Sequence, residues 1–207
     1  MTPIHRRALL AAIAGLAATG PAAAAAPARI YLMRGLFDVF SLGMDRLASH
    51  LRREGHRATV LGVASADALT AEIISRRRAM PEETMVVIGH SLGADAAIRI
   101  ANRVAAAGAA PLALVVTFDP TSRQELRGGA RRVVNLYQSN NGWAVPVNRG
   151  PAFAGRFANE DLRDASGINH LNIDKIGALH RRVIGWVAEA VAEGAAPSRR
   201  APAAPRR

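Results

Sequence analysis

No cysteine occurs among the 207 residues of this chain. That removes disulfides, thiolate metal sites, cysteine nucleophiles and lipid attachment through a leader cysteine from consideration. Aromatic residues are scarce, at 4%, and Lys175 is the single lysine among 27 basic residues. With so few rings, no aromatics interleave with arginine to make the stacking platform that single-stranded nucleic acid requires. The net charge of +11 is also concentrated at the ends: without Arg6, Arg7, Arg199, Arg200, Arg206 and Arg207 it drops to +5, spread over several segments. A nucleic-acid partner is therefore not expected. The dominance of alanine and arginine reads as genome composition, not as chemistry.

What is present divides into three stretches. Residues 1–26 have the layout of an export signal: His5, Arg6 and Arg7, then the apolar run Ala8 to Ala18, then the small residues Ala22 to Ala26. The apolar run is too short to span a bilayer, so no stable membrane insertion is expected once the signal is removed. The Arg6-Arg7 pair is similar to a twin-arginine signal, and a generic secretory signal fits nearly as well; either implies a periplasmic or secreted protein. Residues 27–194 are long enough for one domain with a sizeable core. Residues 195–207 are alanine, proline and arginine, a basic tail without apolar material for a core, which is expected to be disordered.

Within the middle stretch, short apolar runs alternate with helical patterns. Strands are predicted over Arg29–Arg34, Arg57–Leu61, Met85–Ile88, Leu112–Phe118 and Val133–Tyr137, with a last one inside Phe153–Leu162. Helices are predicted around Leu42, Leu47 and Leu51, around Leu69, Ile73 and Ile74, from Ser91 to about Ala107, and from about Ile173, where Ile176, Leu179, Val183, Val187 and Val191 form one stripe. The run Arg76 to Arg78 reads as a solvated helix end that complements the helix dipole. Strands alternating with helices imply an α/β fold: a mostly parallel central sheet with helices on both faces.

The stretch Met85-Val86-Val87-Ile88-Gly89-His90-Ser91-Leu92-Gly93 carries the chemistry. An apolar strand runs into a serine flanked at two residues by glycines, and a helical pattern starts at once. A sharp strand-to-helix turn of this kind presents a serine hydroxyl above the sheet edge, and the residues two before and two after it must be small. A hydroxyl is a weak nucleophile and needs a base that a third group orients. Of the histidines, His5 leaves with the leader, His50 and His56 flank the end of the first helix, and His180 lies within the last. His90 adjoins Ser91 but is expected to point to the other side of the turn. His170 follows the last strand, so in an open parallel sheet it belongs at the same carboxyl edge as Ser91. Asp119 ends the fourth predicted strand at that edge, with Asp161 and Asp164 as reserves. For the oxyanion, the Leu92 N–H is the first donor. The second is expected from the loop after the first strand, from Leu36, with Phe37 in reserve. Phe37, Phe40, Trp143 and Val145 are candidates for an acyl pocket and a substrate-binding role.

Taken together, Arg34-Gly35-Leu36-Phe37, Gly89-His90-Ser91-Leu92-Gly93, Asp119-Pro120 and His170 resemble the α/β-hydrolase family, in its small lipase and esterase branch, over about residues 29–192. The order serine, aspartate, histidine matches. Arg34 stands where lipase-like members usually have histidine, and the acid follows the fourth predicted strand instead of the next. The resemblance implies a minimal α/β-hydrolase fold without its first two strands and without a lid domain. It implies an exported serine hydrolase that cleaves carboxylic ester or thioester bonds of small acyl esters or lipid-like substrates, with no metal and no organic cofactor. An acyltransferase or amidase with the same three residues, and a non-catalytic binding protein on the same scaffold, are the alternatives.

Overall fold

The computed structural model describes residues 26–36 and 42–196. The expected export signal up to residue 25, the basic tail from residue 197, and Phe37 and Phe40 lie outside the described residues.

The chain alternates strand and helix as its periodicity predicts. The order is β1 (Arg29–Met33), α1 (Leu42–Arg53), β2 (Arg57–Leu61), α2 (Ala66–Ala79), β3 (Met85–His90), α3 (Leu92–Ala106), β4 (Leu114–Phe118), β5 (Glu125–Leu126), β6 (Arg132–Tyr137), β7 (Asn148–Arg149), β8 (Arg156–Asp161) and α4 (Gly177–Ala195). Six strands form one sheet in the order β2-β1-β3-β4-β6-β8, and every pairing in it is parallel. The short strands β5 and β7 pair separately, also in parallel; neither is predicted from the sequence. They are two residues long, too short to carry a period.

A parallel sheet needs cover on both faces, because every crossover lays a helix on one of them. Alternate strand residues accordingly enter two separate cores. Ile30, Leu32, Val86, Ile88, Leu114, Val116 and Phe118 pack with Met44, Leu47 and Leu51 of α1 and with Leu179, Val183 and Val187 of α4. Tyr31, Met33, Met85, Val87 and Val115 pack on the other face with Leu69 and Ile73 of α2 and with Ala97, Ala101 and Val104 of α3. Along α1, the spacing of Met44, Leu47, Ala48 and Leu51 gives one apolar stripe, all four fully buried. The chain leaves that helix through Gly55, whose φ of +87° suits a residue without Cβ.

Two predicted details are corrected. The last helix begins at Gly177, after a single 3-10 turn at Ile173–Lys175. The arginine run at the end of α2 is not uniformly solvated: Arg77 is 2% exposed. Its five N–H groups donate to the carbonyls of Met80, Pro81, Glu83, Ala110 and Pro111, closing the ends of two connections that a lysine could not bridge together. Among the described residues no helix lies between the end of β4 and the 3-10 turn at Ile173, so no helical lid is inserted there. No described helix is long and apolar enough to cross a membrane.

Candidate active site

The turn between β3 and α3 holds Ser91 at φ 57° and ψ −126°, outside the favourable regions for a residue with a side chain. Its two glycines are required by contact. A Cβ on Gly89 would lie 2.1 Å from the Gly93 carbonyl oxygen, and one on Gly93 would lie 2.3 Å from the Met33 oxygen and 2.6 Å from that of Arg34. The start of α3 is thus pressed against the segment leading from β1 into Gly35 and Leu36. That brings the first N–H of the helix, at Leu92, beside the loop expected to supply the second oxyanion donor. Although Ser91 occupies the cap position of α3, its hydroxyl makes no capping hydrogen bond. It is engaged elsewhere.

Ser91 Oγ lies 3.1 Å from His170 Nε2, and His170 Nδ1 lies 3.2 Å from Asp119 Oδ2. A carboxylate only accepts, so Nδ1 carries the proton and Nε2 presents its lone pair to the serine O–H. The three residues predicted from their positions along the chain are therefore joined in one hydrogen-bonded series. Asp119 is fully buried, and it too has a positive φ, 48°. Its Oδ1 accepts from the Gln138 N–H at 2.9 Å, and its Oδ2 also accepts from Asn141 Nδ2 at 2.6 Å. With three donors converging on it, the carboxylate is held in one orientation. The reserve acids stand apart: Asp161 accepts from the N–H groups of Ser139 and Arg163 and pairs with the Arg163 guanidinium, and Asp164 is exposed.

Several supporting residues carry no signal in the sequence. Asn141 does double service: its Oδ1 accepts from the N–H groups of Trp143 and Ala144, both at 2.9 Å, so the loop after β6 is folded onto the acid it touches. Val145, a candidate for the acyl pocket, donates its N–H to the Pro120 carbonyl at 2.9 Å and anchors the same loop. Asp95, buried one turn into α3, accepts from Thr121 N, Thr121 Oγ1 and Ser122 N and so fixes the segment just after Asp119. His90 is tied to the site after all. It is 1% exposed and donates Nε2–H to the His170 main-chain carbonyl at 2.9 Å. Burial pushes its pKa down to about 4, so the ring is neutral at physiological pH.

The remaining candidates are placed as follows. Leu36 is half exposed beyond β1. Arg34, in the position where the family usually has histidine, pairs with Asp45 in the first turn of α1 and bonds it through Nε at 3.0 Å; its charge serves to hold the loop. Trp143 does not lie against the core. It is 63% exposed, and its indole stacks on the His170 ring at 5.2 Å between centroids and 13° between planes. Of the five large apolar side chains exposed among the described residues, Leu36, Leu42, Trp143 and Leu171 belong to segments at the Ser91 edge of the sheet, and only Met80 lies elsewhere.

A second buried group lies just beyond His170. Asp174 is fully buried and His180 is 1% exposed. His180 donates Nε2–H to the Asp174 main-chain oxygen at 2.6 Å and meets His50 edge to face. Among the described residues, neither carboxylate oxygen of Asp174 and not the Nδ1 of His180 has a hydrogen-bond partner. Burial pushes the Asp174 carboxyl up to about 6 and the His180 imidazole down.

No protein-family model matches the chain, and no curated protein matches it in sequence. Solved structures do. Human thioesterase 2 superposes with a TM-score of 0.52 at 7% identity, covering 84% of this chain and 100% of the other. RedJ, a thioesterase from the prodiginine biosynthetic pathway in Streptomyces coelicolor, superposes with a TM-score of 0.51 at 13% identity, covering 86% of this chain and 97% of the other. Both belong to the α/β-hydrolase superfamily, and the chain has the α/β-hydrolase fold. The resemblance carried by Gly89 to Gly93 is borne out at that level.

Proposed function

We propose that this protein is a serine hydrolase of carboxylic ester or thioester bonds. The observation that carries the proposal is the hydrogen-bonded series from Ser91 Oγ through His170 to Asp119, with the serine on a strained turn and its hydroxyl unused by the helix it caps. Ser91 Oγ attacks the acyl carbon while His170 Nε2 takes its proton. The tetrahedral oxyanion is received by the N–H groups of Leu92 and Leu36. As the bond to the leaving group breaks, His170 returns the proton to the departing alkoxide or thiolate oxygen or sulfur. Water then attacks the acyl-enzyme by the same route, releasing the acid and Ser91. Asp119 holds the imidazole in the required tautomer and stabilises the imidazolium.

The two superposed structures are thioesterases by description, which favours testing acyl thioesters beside oxygen esters. The reading includes export directed by residues 1–26, tested by sequencing the N-terminus of the protein recovered from the periplasm and the medium. In a comparable triad, loss of the serine lowers kcat by about a million-fold. Ser91→Ala should abolish cleavage of both ester types and labelling by a fluorophosphonate, with the circular dichroism spectrum retained. A folded wild-type chain that takes no label would point to the binding-protein alternative instead.

A further inference from the structure

We propose that Trp143 is a specificity-determining residue on the leaving-group side of the site, favouring esters whose alcohol or thiol carries a flat apolar body. The inference rests on the hydrolase reading and deepens it. In that chemistry the base must reach both the serine oxygen and the departing atom, so the leaving group sits next to the imidazole, and the acyl chain lies elsewhere around the carbonyl carbon. A side chain that covers the His170 ring therefore borders the leaving group. Trp143 does this with its planes only 13° from parallel, which assigns it away from the acyl pocket where sequence position alone would put it.

Three further observations make the indole a built surface. Its loop is fixed at both ends of the turn, by Asn141 bridging Asp119 to the N–H groups of Trp143 and Ala144 and by Val145 N–H on the Pro120 carbonyl. The ring is held by the imidazole on one face, and with 63% of the residue exposed it offers contact area to a ligand. Leu171, next in the chain to His170, is 52% exposed and extends the apolar character beside the base. A planar group gains an offset-stacked contact on such a surface, whereas a methyl or ethyl group has too little area to use it.

The test is a double series on the purified full chain: methyl, phenyl and 2-naphthyl acetates at constant acyl group, and phenyl esters from acetyl to octanoyl at constant leaving group. One aromatic contact corresponds to roughly twofold to tenfold in kcat/KM. Trp143→Ala should lower kcat/KM for the two aryl acetates by about that factor relative to methyl acetate, and Trp143→Phe, which keeps a flat ring, should restore most of it. The chain-length profile should keep its shape in both variants. Equal losses on methyl and aryl acetates would overturn the proposal and leave Trp143 as a support for His170 alone. A changed chain-length profile would overturn it in favour of an acyl pocket. A wild-type chain that cleaves no ester would remove the hydrolase reading and this inference with it, whereas active wild type with a constant aryl-to-methyl ratio in Trp143→Ala removes only the inference.

Discussion

Asp119 and Asp174 make an instructive pair. Both carboxylates are fully buried, and the segments that carry them converge on His170. Asp119 receives N–H groups from Gln138, Asn141 and His170, while the N–H groups of Gly43 and of Asp174 itself face the Asp174 carboxylate without reaching hydrogen-bond geometry. Burial alone therefore does not mark a functional acid. A buried carboxylate must exchange its lost hydration for donors, or it takes up a proton. Asp119 has the donors and can orient a base. Asp174 has only the weak approach of the Gly43 N–H and its own, and desolvation outweighs them and raises it to about 6.

The sharpest way to break the contrast is to remove the charge of Asp119 while keeping its shape. In a serine-protease triad the equivalent amide lowers kcat by roughly four orders of magnitude, because the imidazole is left in the wrong tautomer. Asp119→Asn should act likewise, with kcat falling by about that factor and KM for an aryl ester changing little. Steady-state kinetics at pH 8 would show it.

The same change at Asp174 should act in the opposite direction, and on stability. A carboxyl whose folded pKa is raised from 3.8 to about 6 binds more protons folded than unfolded between those values. Stability should therefore fall as pH rises from about 4 to 6 and stay low above that. Asp174→Asn removes the cost of a buried charge. It should stabilise the protein by about 3 kcal/mol at pH 8 and by little near pH 4, measured by urea unfolding at both pH values. Because Asp174 takes no part in the proposed reaction, kcat should stay within about threefold of wild type.

The smallest expected effect sharpens what the extra donors do for Asp119. Asn141→Ala deletes a 2.6 Å hydrogen bond to Oδ2 and the two that fold the Trp143 loop. One hydrogen bond to a charged group is worth about 1.5–3 kcal/mol, so kcat/KM should drop by roughly 10-fold to 100-fold. A loss as large as that of Asp119→Asn would mean that the loop, not the carboxylate, does the orienting.

The period of the apolar residues was sufficient to read the sheet and its helices. Val86 and Ile88 face one helix pair and Met85 and Val87 the other, and a run buried on both faces is what a central parallel strand requires. Gly89 and Gly93 fixed the turn, since the first leaves room for the Gly93 backbone and the second for the backbone of Met33 and Arg34. The positions of Asp119 at a strand end and of His170 in the loop after the last strand were also legible, because in a parallel sheet every such end, and the loop that leaves it, lies at the same edge. These are local rules, and a linear chain carries them in full.

Contacts between remote segments were not legible. Nothing local distinguishes Arg77 from its two neighbours, yet it alone is sequestered among five carbonyls. Nothing in Asn140-Asn141 says which asparagine will bridge an acid 22 residues away, or that Trp143 will stack on a histidine instead of entering a core. Likewise, whether Asp119 or Asp174 would find donors depended on which loops fold over each of them. The sequence by itself determined the fold class, the glycine-flanked serine and the edge where its partners emerge, because periodicity and steric room are properties of neighbouring residues. Tertiary structure alone decided which buried polar groups are satisfied, because hydrogen bonds across the edge join segments that the chain keeps 19 to 80 residues apart.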